Sequence, residues 1–174
     1  EFGVSAECAD PTNIYAGRVQ AKIGAIVLKE NVAATLITQR TVTLTLPEGA
    51  KWETAANGTA INYPMPVVTK GYMTFAAGAP IVLDNGRTLS YTVNAQSATV
   101  PSTVEFKQGY VDIALDCAPG DLAVEFGGTA GAVADDGSKV SVKVATIVAP
   151  VTLTGEKPTP TVVIGKQIQD GCNF

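Results

Sequence analysis

No histidine occurs anywhere in the 174 residues. The side chain most used as a general base near neutral pH, and most used as a metal ligand, is therefore missing. Charge is scarce as well. Asp, Glu, Lys and Arg make up 16% of the chain, against about a quarter in ordinary globular proteins. The twelve Lys and Arg are scattered without a basic run, and the net charge is −4. A nucleic-acid partner needs a positive patch, so that class is excluded. No stretch approaches about 18 consecutive apolar residues, so no helical membrane span is written into the chain. Tryptophan occurs once, at Trp52, and there are three cysteines: Cys8, Cys117 and Cys172.

What is present points to sheets. Apolar residues make up 46% of the chain. A domain of this length buries roughly two thirds of its unfolded surface, so it needs neither a metal nor a disulfide scaffold. Thr and Val recur throughout, and both are stiff at χ1 and suit strands. In RTVTLTLPEG, Val42, Leu44 and Leu46 face one way while Thr41, Thr43 and Thr45 face the other. That period of two marks a strand with one wet face. Residues 19–29 read as one strand or two bent ones, with Gly24 at the bend. Residues 67–75 read as another strand. In PIVLDNGRTLSYTV, Asn85-Gly86 between alternating segments predicts a tight hairpin, with Leu89, Tyr91 and Val93 on one face.

The pattern continues. Residues 101–106 and 109–116 predict strands, the latter with Val111, Ile113 and Leu115 alternating. Leu122, Val124 and Phe126 alternate next, and Val140, Val142 and Val144 follow a Gly-rich loop with a turn near Asp136-Gly137. Residues 151–154 and 161–164 predict a last pair. About ten short strands and no helix predict an all-β fold, a β-sandwich of immunoglobulin-like or jelly-roll-like form. The expected organisation is an extended leader over 1–18, a single sandwich domain over 19–165 and a C-terminal tail over 166–174.

Few residues suggest a site. Asp112, Asp116 and Asp121 lie close enough in sequence to be weak calcium candidates, although the spacing is not that of an EF-hand. An ordinary solvated acidic face explains them better, and no cofactor is otherwise expected. Gly127–Val133 lacks the Lys-Ser/Thr and helix of a phosphate-binding loop. Trp52, Tyr63 and Tyr72 would form an aromatic platform for a glycan or protein if exposed; a lone tryptophan is more often a core plug. Asn57-Gly58-Thr59 matches a glycosylation acceptor. Glu48 and Glu53, flanking the tryptophan, are the one carboxylate pair that invites a glycosidase reading, and surface residues are the simpler account. The chain is therefore expected not to be an enzyme.

Three cysteines allow at most one intrachain bond, and sequence alone does not choose the pairing. A disulfide from Cys8 to either other cysteine would pin the leader to the body. Closing so long a loop is worth roughly 4–5 kcal/mol on the chain-entropy model. The remaining thiol would be buried, modified or intermolecular. Low charge, the lack of histidine and Thr-rich strands fit an extracellular, secreted setting, which permits disulfides.

The phrases QAKIGAIVLKE, RTVTLTLPEGAKW, DLAVEFGGTAGAV and SKVSVKVATIVAPVTLTGEKPTPTVVIG resemble β-rich extracellular modules of anaerobic Gram-positive bacteria. Such modules occur in large surface proteins, some beside S-layer-type or copper-amine-oxidase-like segments. The likeness spans most of residues 19–165 and implies a cell-surface structural or adhesive module, with no catalytic residues. The cysteines and the short ending depart from it and suggest a stand-alone subunit. The leading expectation is a homo-oligomer or polymer, a filament joined by strand exchange. The donor would be Thr161, Val162, Val163 and Ile164 or residues 1–12. The alternative is a carbohydrate- or protein-binding adhesion module that meets glycans or other surface proteins.

Overall fold

The computed structural model describes residues 2–54 and 62–150. Fourteen strands appear there. In chain order they are β1 (Val4–Glu7), β2 (Thr12–Tyr15), β3 (Ala21–Lys22), β4 (Ile26–Glu30), β5 (Thr41–Thr45), β6 (Ala50–Trp52) and β7 (Met65–Lys70). They continue as β8 (Thr74–Phe75), β9 (Ile81–Leu83), β10 (Thr88–Ala95), β11 (Thr103–Lys107), β12 (Tyr110–Ile113), β13 (Gly120–Gly127) and β14 (Ser141–Val148). A four-stranded sheet runs β1-β4-β11-β7, and a seven-stranded sheet runs β2-β14-β13-β5-β10-β8 with β9 also paired to β10. A three-stranded sheet runs β3-β12-β6. Every pairing is antiparallel except β2 with β14. The fold is all-β and fits the expected immunoglobulin-like or jelly-roll-like sandwich.

The two larger sheets meet at Phe106 on β11. Its ring lies 5.4 Å from Tyr91 of β10, 6.2 Å from Phe75 of β8 and 6.2 Å from Phe126 of β13. One side chain of the four-stranded sheet thus packs among three of the seven-stranded sheet. The rings are steeply tilted, the arrangement aromatic quadrupoles favour. The alternation on β5 and β13 feeds this core: Val42, Leu44, Leu46, Leu122, Val124 and Phe126 are all buried. On β14 the phase shifts. Leu122 pairs Ala145 while Ala123 pairs Lys143, so Val144 is an extra residue. This β-bulge lets Val144 and the adjacent Ala145 both be buried.

Several expected strands divide. Residues 19–29 split at Gly24 into β3 and β4, which belong to different sheets. A Cβ on Gly24 would fall 2.5 Å from the Asp10 carbonyl oxygen. Residues 67–75 split at Gly71 into β7 and β8, again in different sheets. Gly71 has φ +81°, and a Cβ there would fall 2.8 Å from Ser102 Cα. Residues 4–15, read as leader, supply β1 and β2, and Val4 and Ile14 sit in the core. The Asn85-Gly86 turn is not the two-residue type: Leu83 pairs with Thr88 across a four-residue loop. Asp84, Asn85 and Gly86 all have positive φ there, and the loop holds a short 3-10 turn. Leu115 is exposed instead of continuing β12, because the strand ends at Ile113. Residues 151–154 and 161–164 lie outside the described residues.

A buried acid organises one end of the sandwich. Ile26, Leu28 and Glu30 share one face of β4, so Glu30 points inward and is buried. Its Oε1 accepts the Leu36 N–H at 2.9 Å. Its Oε2 accepts the Ser97 hydroxyl at 2.6 Å and the Ser102 N–H at 2.8 Å. Ser97 Oγ in turn accepts the Ala34 N–H, and Ser102 Oγ accepts the Met73 N–H. A buried carboxylate must be hydrogen-bonded, and here three donors from two loops meet that need.

Two stability outcomes follow from these contacts. Gly71→Ala adds both a left-handed backbone penalty and a collision with backbone, and lowers stability by about 2–4 kcal/mol. Gly78→Ala, with φ +107° and nothing near its Cβ, carries the backbone penalty alone, about 1–2 kcal/mol. Urea unfolding checks both, and equal losses would deny the Ser102 contact. Glu30→Ala strands three donors and costs about 3–5 kcal/mol; a loss below about 1 kcal/mol would mean the loops do not depend on the carboxylate.

Candidate functional site

The residues singled out from the sequence do not converge. Trp52 is buried, at 3% exposure, and its Nε1–H donates to the Leu44 carbonyl at 3.1 Å. It pairs with Val111 across β6 and β12 and fills the space between that small sheet and β5. The indole is thus a core plug and not part of a binding surface. Tyr63 is half-buried and packs on the core. Its neighbour Pro64 accepts the Tyr91 hydroxyl, and burial pushes the Tyr91 phenol well above its ordinary pKa. Tyr72 alone stands out, 83% exposed. The three aromatics form no platform.

The acidic candidates are also separate. Asp112 Oδ1 accepts the Gln20 N–H at 2.7 Å, and Asp121 pairs with Lys143 at 2.6 Å. Asp116 lies exposed in the turn before Cys117. Among the described residues, no group of three His, Cys, Asp or Glu is placed to hold a metal ion. Glu48 lines an open cleft of about 450 Å³ with Lys51, Asp84, Arg87 and Asp112, whereas Glu53 is not among its walls. Asp84 accepts the Thr88 hydroxyl, and the Arg87 guanidinium donates to the Leu46 carbonyl. These charged groups brace the loop between β9 and β10. Asn57 lies outside the described residues.

The expected disulfide is corrected by the structure. Cys8 and Cys117 are both free thiols. Cys8 follows β1 in the four-stranded sheet, whereas Cys117 sits in the turn between β12 and β13. Their sulfurs face Gly24 and Gly49 respectively, each against its own piece of backbone. Desolvation raises both thiol pKa values, so both stay protonated at neutral pH. Cys172 lies outside the described residues.

What remains as a candidate site is sheet edge. Among the described residues all three sheets are open, and an unpaired edge is a template for another strand. Most edges carry residues that discourage pairing. On β7 these are Pro66 and Lys70, on β1 Glu7, on β3 Lys22, on β6 Lys51 and on β2 Asn13. The edge strand β9 carries Ile81, Val82 and Leu83, exposed at 61%, 44% and 44%. Sequence reading took this segment as one arm of a hairpin. The signal it passed over was three consecutive apolar residues without alternation, bounded by Pro80 and Asp84. No helix of the described residues is long and apolar enough to cross a membrane.

No family model and no curated protein sequence matches the chain. Solved structures similar to it include the 35 kDa C-terminal fragment of the major pilin GBS80 of Streptococcus agalactiae. That likeness has a TM-score of 0.40 and 12% identity, over 84% of this chain and 56% of the other. A protein described as membrane anchored, from Corynebacterium diphtheriae, is similar at a TM-score of 0.40 and 12% identity, over 86% of this chain and 36% of the other. A non-cellulosomal cohesin from the hyperthermophilic archaeon Archaeoglobus fulgidus is similar at a TM-score of 0.35 and 10% identity, over 86% and 92%. The chain thus spans less than two thirds of the first two structures.

The position of the single tryptophan is directly measurable. Trp52 fluorescence is expected to be blue-shifted and poorly quenched by iodide in the native protein, with both properties lost in urea. Strong native quenching would return the indole to the surface.

Proposed function

We propose that this chain is a non-catalytic structural subunit of an extracellular, cell-surface assembly, joined head to tail by strand addition. The observation that supports it most is the place of β14. Both of its edges are taken, by β13 on one side and β2 on the other. The chain nevertheless runs on through residues 151–174, including the apolar, strand-forming Thr161, Val162, Val163 and Ile164. A strand needs partners for its backbone groups. β14 itself has no free edge to offer such a strand, and strand addition to a neighbour would supply one.

The other donor considered, residues 1–12, is already engaged. β1 pairs with β4 through Val4, Ser5, Ala6 and Glu7, and β2 begins at Thr12 beside β14. The adhesion alternative loses its main residue with the burial of Trp52.

Light scattering on the full chain across a wide concentration range, with electron microscopy of the same sample, tests the reading. The expected result is polymers or filaments whose mass grows with concentration. A clean monomer at the highest concentration would overturn it.

A further inference from the structure

The edges of this protein are protected unevenly, and the exception lies in the sheet that β14 belongs to. β9 is the one edge strand among the described residues built wholly of large aliphatic side chains, with no Pro, Lys or acid within it. It pairs with β10 through Leu83, Val82 and Ile81. Its two faces are both exposed. Edge strands are ordinarily kept short, charged or covered so that no other chain adds to them. β9 is short, but it presents the unpaired backbone and apolar side chains on which a strand of like character adds.

We infer that the outer edge of β9 is the acceptor for assembly, and that its occupant is the segment Thr161, Val162, Val163 and Ile164 of a second copy. This rests on the assembly reading above. Three observations support that occupant. First, the segment is a strand-forming, uncharged stretch of about the length of β9. Second, β14 and β9 lie four strand positions apart in one sheet, roughly 19 Å at about 4.8 Å per strand. The described chain therefore leaves the sheet well away from the acceptor edge, and a return would have to cross β13, β5 and β10. Third, Pro158 and Pro160 come just before the segment. Proline fixes φ and stiffens a linker, which favours reaching outward over turning back. A donor on one side of a sheet and an acceptor on the other make a heterologous contact, which propagates when its rotation does not close a ring.

The test uses the full chain in three forms. The acceptor variant carries Ile81→Lys and Leu83→Lys, both at exposed positions, and the donor variant carries Val162→Asp and Ile164→Asp. Circular dichroism melting checks that each is folded. Each variant alone is expected to form at least tenfold less polymer than the unaltered chain. Mixed one to one, they are expected to form dimers and nothing longer, because each pair retains one working donor and one working acceptor. If the unaltered chain polymerises and the acceptor variant does so equally well, β9 is not the acceptor and the assembly reading stands alone. If only the donor variant still polymerises, β9 is an interface with a different occupant and the inference falls. If the unaltered chain is monomeric, both fall. Hydrogen exchange requires no acceptor substitution and covers the case of a misfolded variant. The β9 amides that point away from β10 should exchange at least tenfold more slowly in the polymer than in the donor-variant monomer, and equal rates for them would overturn the inference.

Discussion

The contact of Phe106 with Tyr91, Phe75 and Phe126 is what makes two sheets into one core. A sheet with one apolar face must bury that face against another layer. The aromatic cluster sets the layers at a separation that large rings fill. The rest of the chain path follows from sharing that core. From β1 to β8 the strands visit the four-, seven- and three-stranded sheets in strict rotation, so no two consecutive strands in this stretch pair with each other. Each change of sheet brings backbone close to backbone. Gly24 and Gly71 stand at two of those passages because a side chain there would occupy the space of Asp10 or Ser102.

Glu30 solves a second problem created by the same layout. The loops over residues 31–40 and 96–102 leave their strands at one end of the sandwich and carry backbone donors that the sheets do not use. One carboxylate gathers the Leu36 and Ser102 N–H groups and the Ser97 hydroxyl. Among the described residues its side-chain hydrogen-bond partners are these three donors and no Lys or Arg. Exposed ion pairs such as Lys29 with Glu7 and Lys139 with Glu125 add little by comparison.

The all-β class was legible because β5 and β13 alternate cleanly and each has one wet face. Val42, Leu44, Leu122 and Val124 needed no tertiary information. β14 was legible only in its first half. The bulge at Val144 reverses the phase, so strict alternation places Ala145 outward when it is buried. β1 and β2 were hidden because four-residue strands such as VSAE and TNIY carry a single large core side chain each. Hairpin logic failed over the first eight strands because their partners are distant in sequence. Glu30 shared the parity of Ile26 and Leu28, and that inward acid was a readable sign of a buried network. The candidate site was less legible. Apolar character and strand propensity identify β9 as a strand but not as an edge, since edge position is a property of topology.

The one parallel pairing has a mechanical meaning. β2 and β14 run side by side in the same direction, with Ala145 beside Thr12 and Val148 beside Tyr15. Tension entering before Thr12 and leaving after Val148 pulls these strands past each other along their length. Their hydrogen bonds then share the load and must break together, whereas an antiparallel pair gripped at one end peels open bond by bond. The stretch between β2 and β14 is thus clamped in shear, the loading under which a short β ladder is strongest.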